Sequence, residues 1–163
     1  MSGPAGEWQV FAHPLFLDQL EKLGKAVERA RAKDPRGWHE SANAKLLAAL
    51  RQLTFETIPR DPARADYRQG ATLGADRKHW FRAKFGAGRF WLFFRYSSSA
   101  KIIVFAWVND ANTLRAYGAK FDAYAVFRQM LSKGNPPDDW AALLAATSAS
   151  VARARLDAAS KKH

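Results

Sequence analysis

The sequence predicts an α+β domain: an N-terminal helix hairpin packed on a twisted antiparallel β-sheet, followed by C-terminal helices. Three observations predict it. Two early segments, separated by Asp34-Pro35-Arg36-Gly37, carry apolar residues at three- and four-residue steps. Three strand-like segments then follow closely within residues 80–109. Helical signals return after Asp122, broken by Gly134 and Pro136-Pro137. A chain of 163 residues fits one domain with a proper hydrophobic core, residues 1–6 and 159–163 being loose ends.

In order, residues 8–12 read as a short first strand. His13-Pro14 opens a helix, with proline where its missing N–H costs nothing. Phe16, Leu20, Leu23, Val27 and Ala30 make its apolar stripe. A second helix is expected over 38–57, striped by Ala42, Leu46, Ala49, Leu50 and Leu53, and antiparallel to the first. Residues 58–79 are a long aperiodic loop rich in Pro, Gly, Asp and Arg, of a kind that is often functional. Strands are expected over 80–85, 89–96 and 101–109, as an antiparallel meander. Helices over 122–133 and after Asp138 complete the chain, the last striped by Trp140, Leu143, Leu144, Thr147 and Val151.

The charge is strongly positive, +11 overall with a pI near 10.3. Residues 60–133 hold fourteen Lys/Arg against five Asp, and residues 77–109 hold seven cations and no acid. Such a surface is costly to assemble and persists where something anionic sits on it: a nucleic acid, an acidic protein or an anionic lipid. Alternation places Phe81, Ala83, Phe85, Phe90, Leu92 and Phe94 on one face, against the helix hairpin. Arg82, Lys84, Arg89 and Arg95 share the other, with Trp91 and Phe93 between them. These two aromatics either stack nucleobases or form core under the last helix, and the core reading is favoured because Trp140, Leu143 and Leu144 need a partner. The third strand is apolar on both faces, so it is central and its orientation stays open. Cysteine is absent, which excludes disulfides and thiolate metal sites and fits a reducing compartment. No secretory signal is seen, and the longest strongly apolar run, 102–108, is too short to span a bilayer. A cytoplasmic protein without a membrane partner is expected.

The runs Lys84-Phe85-Gly86-Ala87-Gly88-Arg89, Leu92-Phe93-Phe94-Arg95-Tyr96, Asn109-Asp110, Asn112-Thr113-Leu114-Arg115, Tyr117-Gly118 and Asp122-Ala123-Tyr124 stand in a fixed order, with Trp107 among them and Pro136-Pro137, Asp139 and Trp140 after them. In this order and spacing they resemble the YhaV family of type II toxin–antitoxin toxins, in the RelE/ParE superfamily. The resemblance covers roughly residues 8–140 and does not reach beyond about 145. It implies a RelE-like fold and an mRNA interferase, an endoribonuclease that cleaves mRNA at the ribosome and arrests translation. It also implies a PrlF-type antitoxin, with operator DNA bound only through the toxin–antitoxin complex.

RelE-like enzymes cut through the RNA's own 2′-hydroxyl, leaving a 2′,3′-cyclic phosphate and a 5′-hydroxyl, and need no metal or other cofactor. The resemblance therefore implies catalytic roles for Arg82, Lys84 and Arg89 at the phosphate, where a guanidinium fork holds two oxygens. Lys84 is a candidate base or acid. Tyr117 is a candidate acid for the leaving oxygen. Arg77, Lys78, Arg95, Asn109, Asp110 and Arg115 are candidate RNA contacts, with Asp110 able either to orient an arginine or to cap a turn. A RelE-like catalytic arginine opens the strand after the glycine corner. Counting from Gly86 puts Arg89 there; counting back from Phe93-Phe94 puts Trp91 there. His79, beside the cluster, reads as a surface residue. The competing readings are a toxin of the same fold that poisons DNA gyrase, a toxin that blocks translation by binding rRNA without cleavage, and a DNA-binding co-repressor.

Overall fold

The structure, a computed structural model, describes residues 7–109 and 122–161. The first strand, β1 (Gln9–Ala12), leads directly into α1 (Pro14–Lys33), which starts as the His-Pro pair predicts. His13 is its N-cap, with Nδ1 accepting from the Leu15 N–H at 3.1 Å. Phe16, Leu17, Leu20 and Val27 form its buried face. α2 (Ala42–Gln52) starts later than 38, because Ser41 is the residue able to cap it; its hydroxyl accepts from Ala44 N–H at 3.2 Å. Residues Trp38–Glu40 form a 3₁₀ turn instead. The helix then widens into a π-helical turn, Leu53–Thr57, and closes with one more turn, Ile58–Arg60. The widening comes just before Pro59, which lacks an N–H and whose ring cannot sit against the carbonyl four residues back.

His13 is 5% exposed, and burial lowers its pKa from the usual 6.5 to about 4, against a smaller upward pull from Asp18. The folded imidazole therefore stays neutral where the unfolded one already binds a proton. The stability this supports is complete above about pH 6.5 and is lost as pH falls toward about 4, by roughly 3 kcal/mol. His13→Asn keeps an acceptor at the cap and removes the titration. Urea midpoints compared at about pH 7.5 and pH 4.5 should converge in this variant relative to the parent.

β2 (Phe81–Phe85), β3 (Phe90–Ser97) and β4 (Ile102–Val108) form the expected meander. The sheet is not wholly antiparallel, however. Its order is β1-β4-β3-β2, and β1 pairs parallel to β4 with Phe11 opposite Val104. The sheet is mixed because β1 is returned to the sheet by the helix hairpin, a crossover rather than a turn. β2 is left as an edge. Between β2 and β3 the chain turns through Gly86 at φ +62°; a Cβ there would lie 2.7 Å from the Phe90 ring, so glycine is required on two counts.

Two cores flank the sheet. Ala83, Leu92, Phe94, Ile103, Phe105 and Val108 pack on the helix hairpin, as alternation predicts for β2 and β3. Phe93, Val104, Ala106 and Trp107 pack on the other side under α3 (Ala123–Ser132) and Leu143 of α4 (Trp140–Ser148). β4 could not be divided by alternation, and the reason is a bulge. Phe94 pairs with Phe105 and Phe93 with Trp107, so Ala106 is an extra residue, and Ala106 and Trp107 face the same side. Beyond the bulge, Gln19 of α1 serves the end of β4: its Nε2 donates to Val108 O at 2.6 Å and its Oε1 accepts from Val108 N at 3.1 Å.

The C-terminal helix α5 (Ser150–Ser160) buries Ala152 and Leu156 in the hairpin-side core. Arg155 donates to Asp18 at 2.6 Å and to both oxygens of Glu21 at 2.8 Å, which holds the Glu21 carboxyl below its ordinary range. The helix runs through Ser160, past the loose end expected from 159, because Arg51 donates to the carbonyls of Ala159 and Lys161. Among the described residues no helix is long and apolar enough to cross a membrane.

Candidate RNA-cleavage site at the open edge of the sheet

Arg82 and Lys84 lie two residues apart on β2, opposite Phe93 and Trp91 of β3. At Phe81 the free side of β2 is bridged by Arg68; past that point it borders a cleft of about 510 Å3. Arg82 and Lys84 line one wall of the cleft, and Leu53, Thr57, Arg64, Asp66 and Tyr67 the other. The π-helical turn before Pro59 thus sits at the cleft, which fits the tendency of such turns to mark functional sites.

Arg82 is half-buried and fixed at two points. Its Nε donates to the hydroxyl of Tyr124 at 2.7 Å and its Nη1 to the carbonyl of Asp66 at 2.5 Å. Both acceptors are neutral, so the guanidinium keeps its full charge. Arg64 differs: it is paired to the Asp66 carboxylate at 2.7 Å, though both are exposed and such pairs are worth little. Among the described residues, Arg82, Lys84 and Arg89 form no ion pair.

Arg89 stands apart from the cleft. It is exposed at the glycine corner, its guanidinium 5.5 Å above the Phe90 ring, and Trp91 is the residue opposite Lys84. Lys78 is exposed. Arg77 reaches toward Asp138 at 3.9 Å and toward the Ser132 hydroxyl at 3.4 Å. Asp110, Arg115 and Tyr117 lie outside the described residues.

Two expected RNA contacts have other work. Asn109 is wholly buried; its Oδ1 accepts from Trp91 N at 2.6 Å and its Nδ2 donates to Arg89 O at 3.1 Å. It clips the start of β3 to the end of β4 and has no face left for RNA. Arg95 lies between the rings of Trp80 and Trp140, 5.6 and 5.1 Å from their centres, and donates to Asp138 O at 2.6 Å. Burial draws its pKa below the ordinary arginine value, against the opposite pull of Asp138 and Asp139. It is a half-buried cation, held in place by the two rings and the carbonyl. Phe93 is fully buried, as its core reading requires.

The loop 58–79 is held by two polar side chains. Gln69 donates to the carbonyls of Arg77 at 2.8 Å and Trp80 at 3.3 Å and accepts from Leu73 N at 3.1 Å. Asp138 accepts from Trp80 Nε1 at 2.7 Å and pairs with Nε2 of His79 at 2.9 Å, so His79 is more than a surface residue. Burial works to raise the Asp138 pKa, but the His79 and Trp80 hydrogen bonds and the nearby cations outweigh it and hold it low.

Sequence reasoning missed Tyr124 as a site residue. The signal was present: Asp122, with its side chain accepting from Tyr124 N at 3.0 Å, is a helix cap, and it seats an aromatic hydroxyl in the first turn of α3. Its partner Arg82 is 42 residues away in sequence.

The profile of a toxin family, described as having endonuclease activity and belonging to toxin–antitoxin systems, matches residues 10–148. The chain is 46% identical over 137 residues to "Toxin YhaV" of Escherichia coli O6:H1 and to "Ribonuclease toxin YhaV" of Escherichia coli strain K12, covering 83% of this chain and 89% of each relative. No solved structure matches the chain. The match ends before α5.

Proposed function

Because this chain belongs to the YhaV family, toxins of toxin–antitoxin systems with endonuclease activity, we propose that it cleaves mRNA across the open edge of β2. The observation that carries the site is the pair Arg82 and Lys84: two cations on one edge strand with no ion pair among the described residues, one of them already immobilised by neutral acceptors. In this reading the 2′-oxygen attacks the adjacent phosphorus and the P–O5′ bond breaks. A base takes the 2′-proton, and an acid returns a proton to O5′. Arg82 holds the phosphate oxygens as charge builds in the transition state, with Lys84 beside it, and Arg89 adds positive charge from the exposed corner outside the cleft. Tyr117 protonates the leaving oxygen. Arg77, Lys78, Asp110 and Arg115 guide the flanking strand. The nucleophile comes from the substrate itself and the building charge is met by side-chain cations, so the chemistry needs no metal, as the resemblance implies.

The finer assignments follow the resemblance: kinship with RelE-like folds, action at the ribosome in the cytoplasm, a PrlF-type antitoxin, and operator binding only through the complex. The surplus cations suit docking on rRNA. The test is incubation of the purified protein with a defined RNA, with and without ribosomes and with EDTA. A 2′,3′-cyclic phosphate and a 5′-hydroxyl are expected in EDTA; intact RNA under all conditions would return the reading to a non-cleaving translation block or a gyrase poison.

Lys84→Arg separates charge from proton transfer. It keeps the cation but removes an amine able to titrate, and cleavage should fall about a hundredfold with RNA affinity within about twofold. Single-turnover rates would show this, and undiminished cleavage would leave Lys84 a purely electrostatic role.

A further inference from the structure

We infer that Tyr124 is the positioning residue for Arg82, setting the guanidinium in the orientation that receives the scissile phosphate. The inference rests on the RNA-cleavage reading of the β2 edge and adds a residue that acts through Arg82.

An arginine on an edge strand has several rotatable bonds and, in water, many orientations. A rigid fork is useful to a phosphate only if its direction is set before the substrate arrives. Of the five N–H groups of a guanidinium, one is taken by the Tyr124 hydroxyl and one by the Asp66 carbonyl. Three remain. The two holds come from different parts of the chain, α3 and the loop 58–79, so they clasp the side chain between separate supports.

Tyr124 is itself firmly placed. Its backbone is fixed by the Asp122 cap at 3.0 Å. Its ring stands edge-on to Phe93 at 5.8 Å and tilted against Trp91 at 6.1 Å, both on the α3 side of β3. The hydroxyl therefore reaches Arg82 from a packed ring, and the ring's rotation is limited by its neighbours. A carboxylate in the same place would also orient Arg82, but it would cancel the charge the transition state needs. Arg155, clamped by Asp18 and Glu21, shows that alternative in this chain. A phenol orients without neutralising.

The experiment is a double-mutant cycle on cleavage of a defined RNA by the full chain, using Tyr124→Phe, Arg82→Ala and the pair. Tyr124→Phe retains the ring and removes only the hydroxyl. It should lower kcat about tenfold with KM within about twofold and with the thermal midpoint little changed. In the Arg82→Ala background the same substitution should change the residual rate by less than twofold, because the residue it orients is gone. Wild-type kcat in Tyr124→Phe, or an equal loss in both backgrounds, overturns the inference while the cleavage reading stands. Undiminished cleavage by Arg82→Ala would overturn the site, and the inference with it.

Discussion

Replacing Arg82 by alanine is expected to lower RNA cleavage about a thousandfold while RNA affinity changes by less than about threefold. The separation follows from where the charge matters. Binding draws on many cations spread over the surface, and one of them contributes a small share. The phosphorane-like transition state carries more negative charge than the ground state, and only a group aimed at it stabilises the difference. Removing one pre-oriented donor of this kind costs about 3–4 kcal/mol in the barrier. Arg82 also supports the fold through its bonds to Tyr124 and Asp66, each worth about 1 kcal/mol. Thermal unfolding must therefore accompany the kinetics, and the rate loss should far exceed any change in the folded fraction at the assay temperature. Arg82→Lys keeps the charge without the fork and should recover only part of the rate. A variant that binds weakly but cleaves normally once bound would place Arg82 on the RNA path and outside the reaction.

Phe127→Ala is expected to destabilise the protein by about 3–5 kcal/mol, read as a shift of the urea midpoint. Phe127 is fully buried and stacks on Phe93 with ring centres 4.3 Å apart and planes at 12°. It also lies parallel to Trp107 at 5.8 Å and edge-on to Trp80 at 5.0 Å. Four aromatic residues thus share one seam between α3 and the sheet. Truncation leaves a large void that three rigid rings cannot collapse to fill. Tyr124 lies one turn before Phe127 on the same helix, so loosening the seam should also lower cleavage at temperatures where the protein remains folded. A loss below about 1 kcal/mol would show that α3 is not seated through this ring.

These two sites were legible to different degrees. The faces of β2 and β3 follow from a period of two, and that pattern placed Arg82 and Lys84 together, while the apolar stripe of the last helix, in need of a partner, pointed Phe93 to the core. The start of α1 was legible because His-Pro is a local signal, complete within two residues. What local pattern did not show was set by distant partners. Asn109 and Arg95 have side chains suited to RNA, but their fates depend on Trp91 and Arg89 backbone in one case and on Trp80 and Trp140 in the other. The parallel pairing of β1 with β4 spans the whole hairpin, β2 and β3, and no local pattern announces it. Arg89 was placed by counting from a glycine; at a hairpin tip the backbone turn, more than residue parity, decides where a side chain goes.

Ala106 gives the sheet a spare rung. If it were deleted, Phe105 and Trp107 could close into an unbroken ladder with every large side chain of β4 still on its own side. Loss of Val104 instead would turn Phe105 over to the wrong layer. Changes of length in this strand can therefore be absorbed at one point alone, and a deletion scan along it should find a single tolerant position flanked by lethal ones.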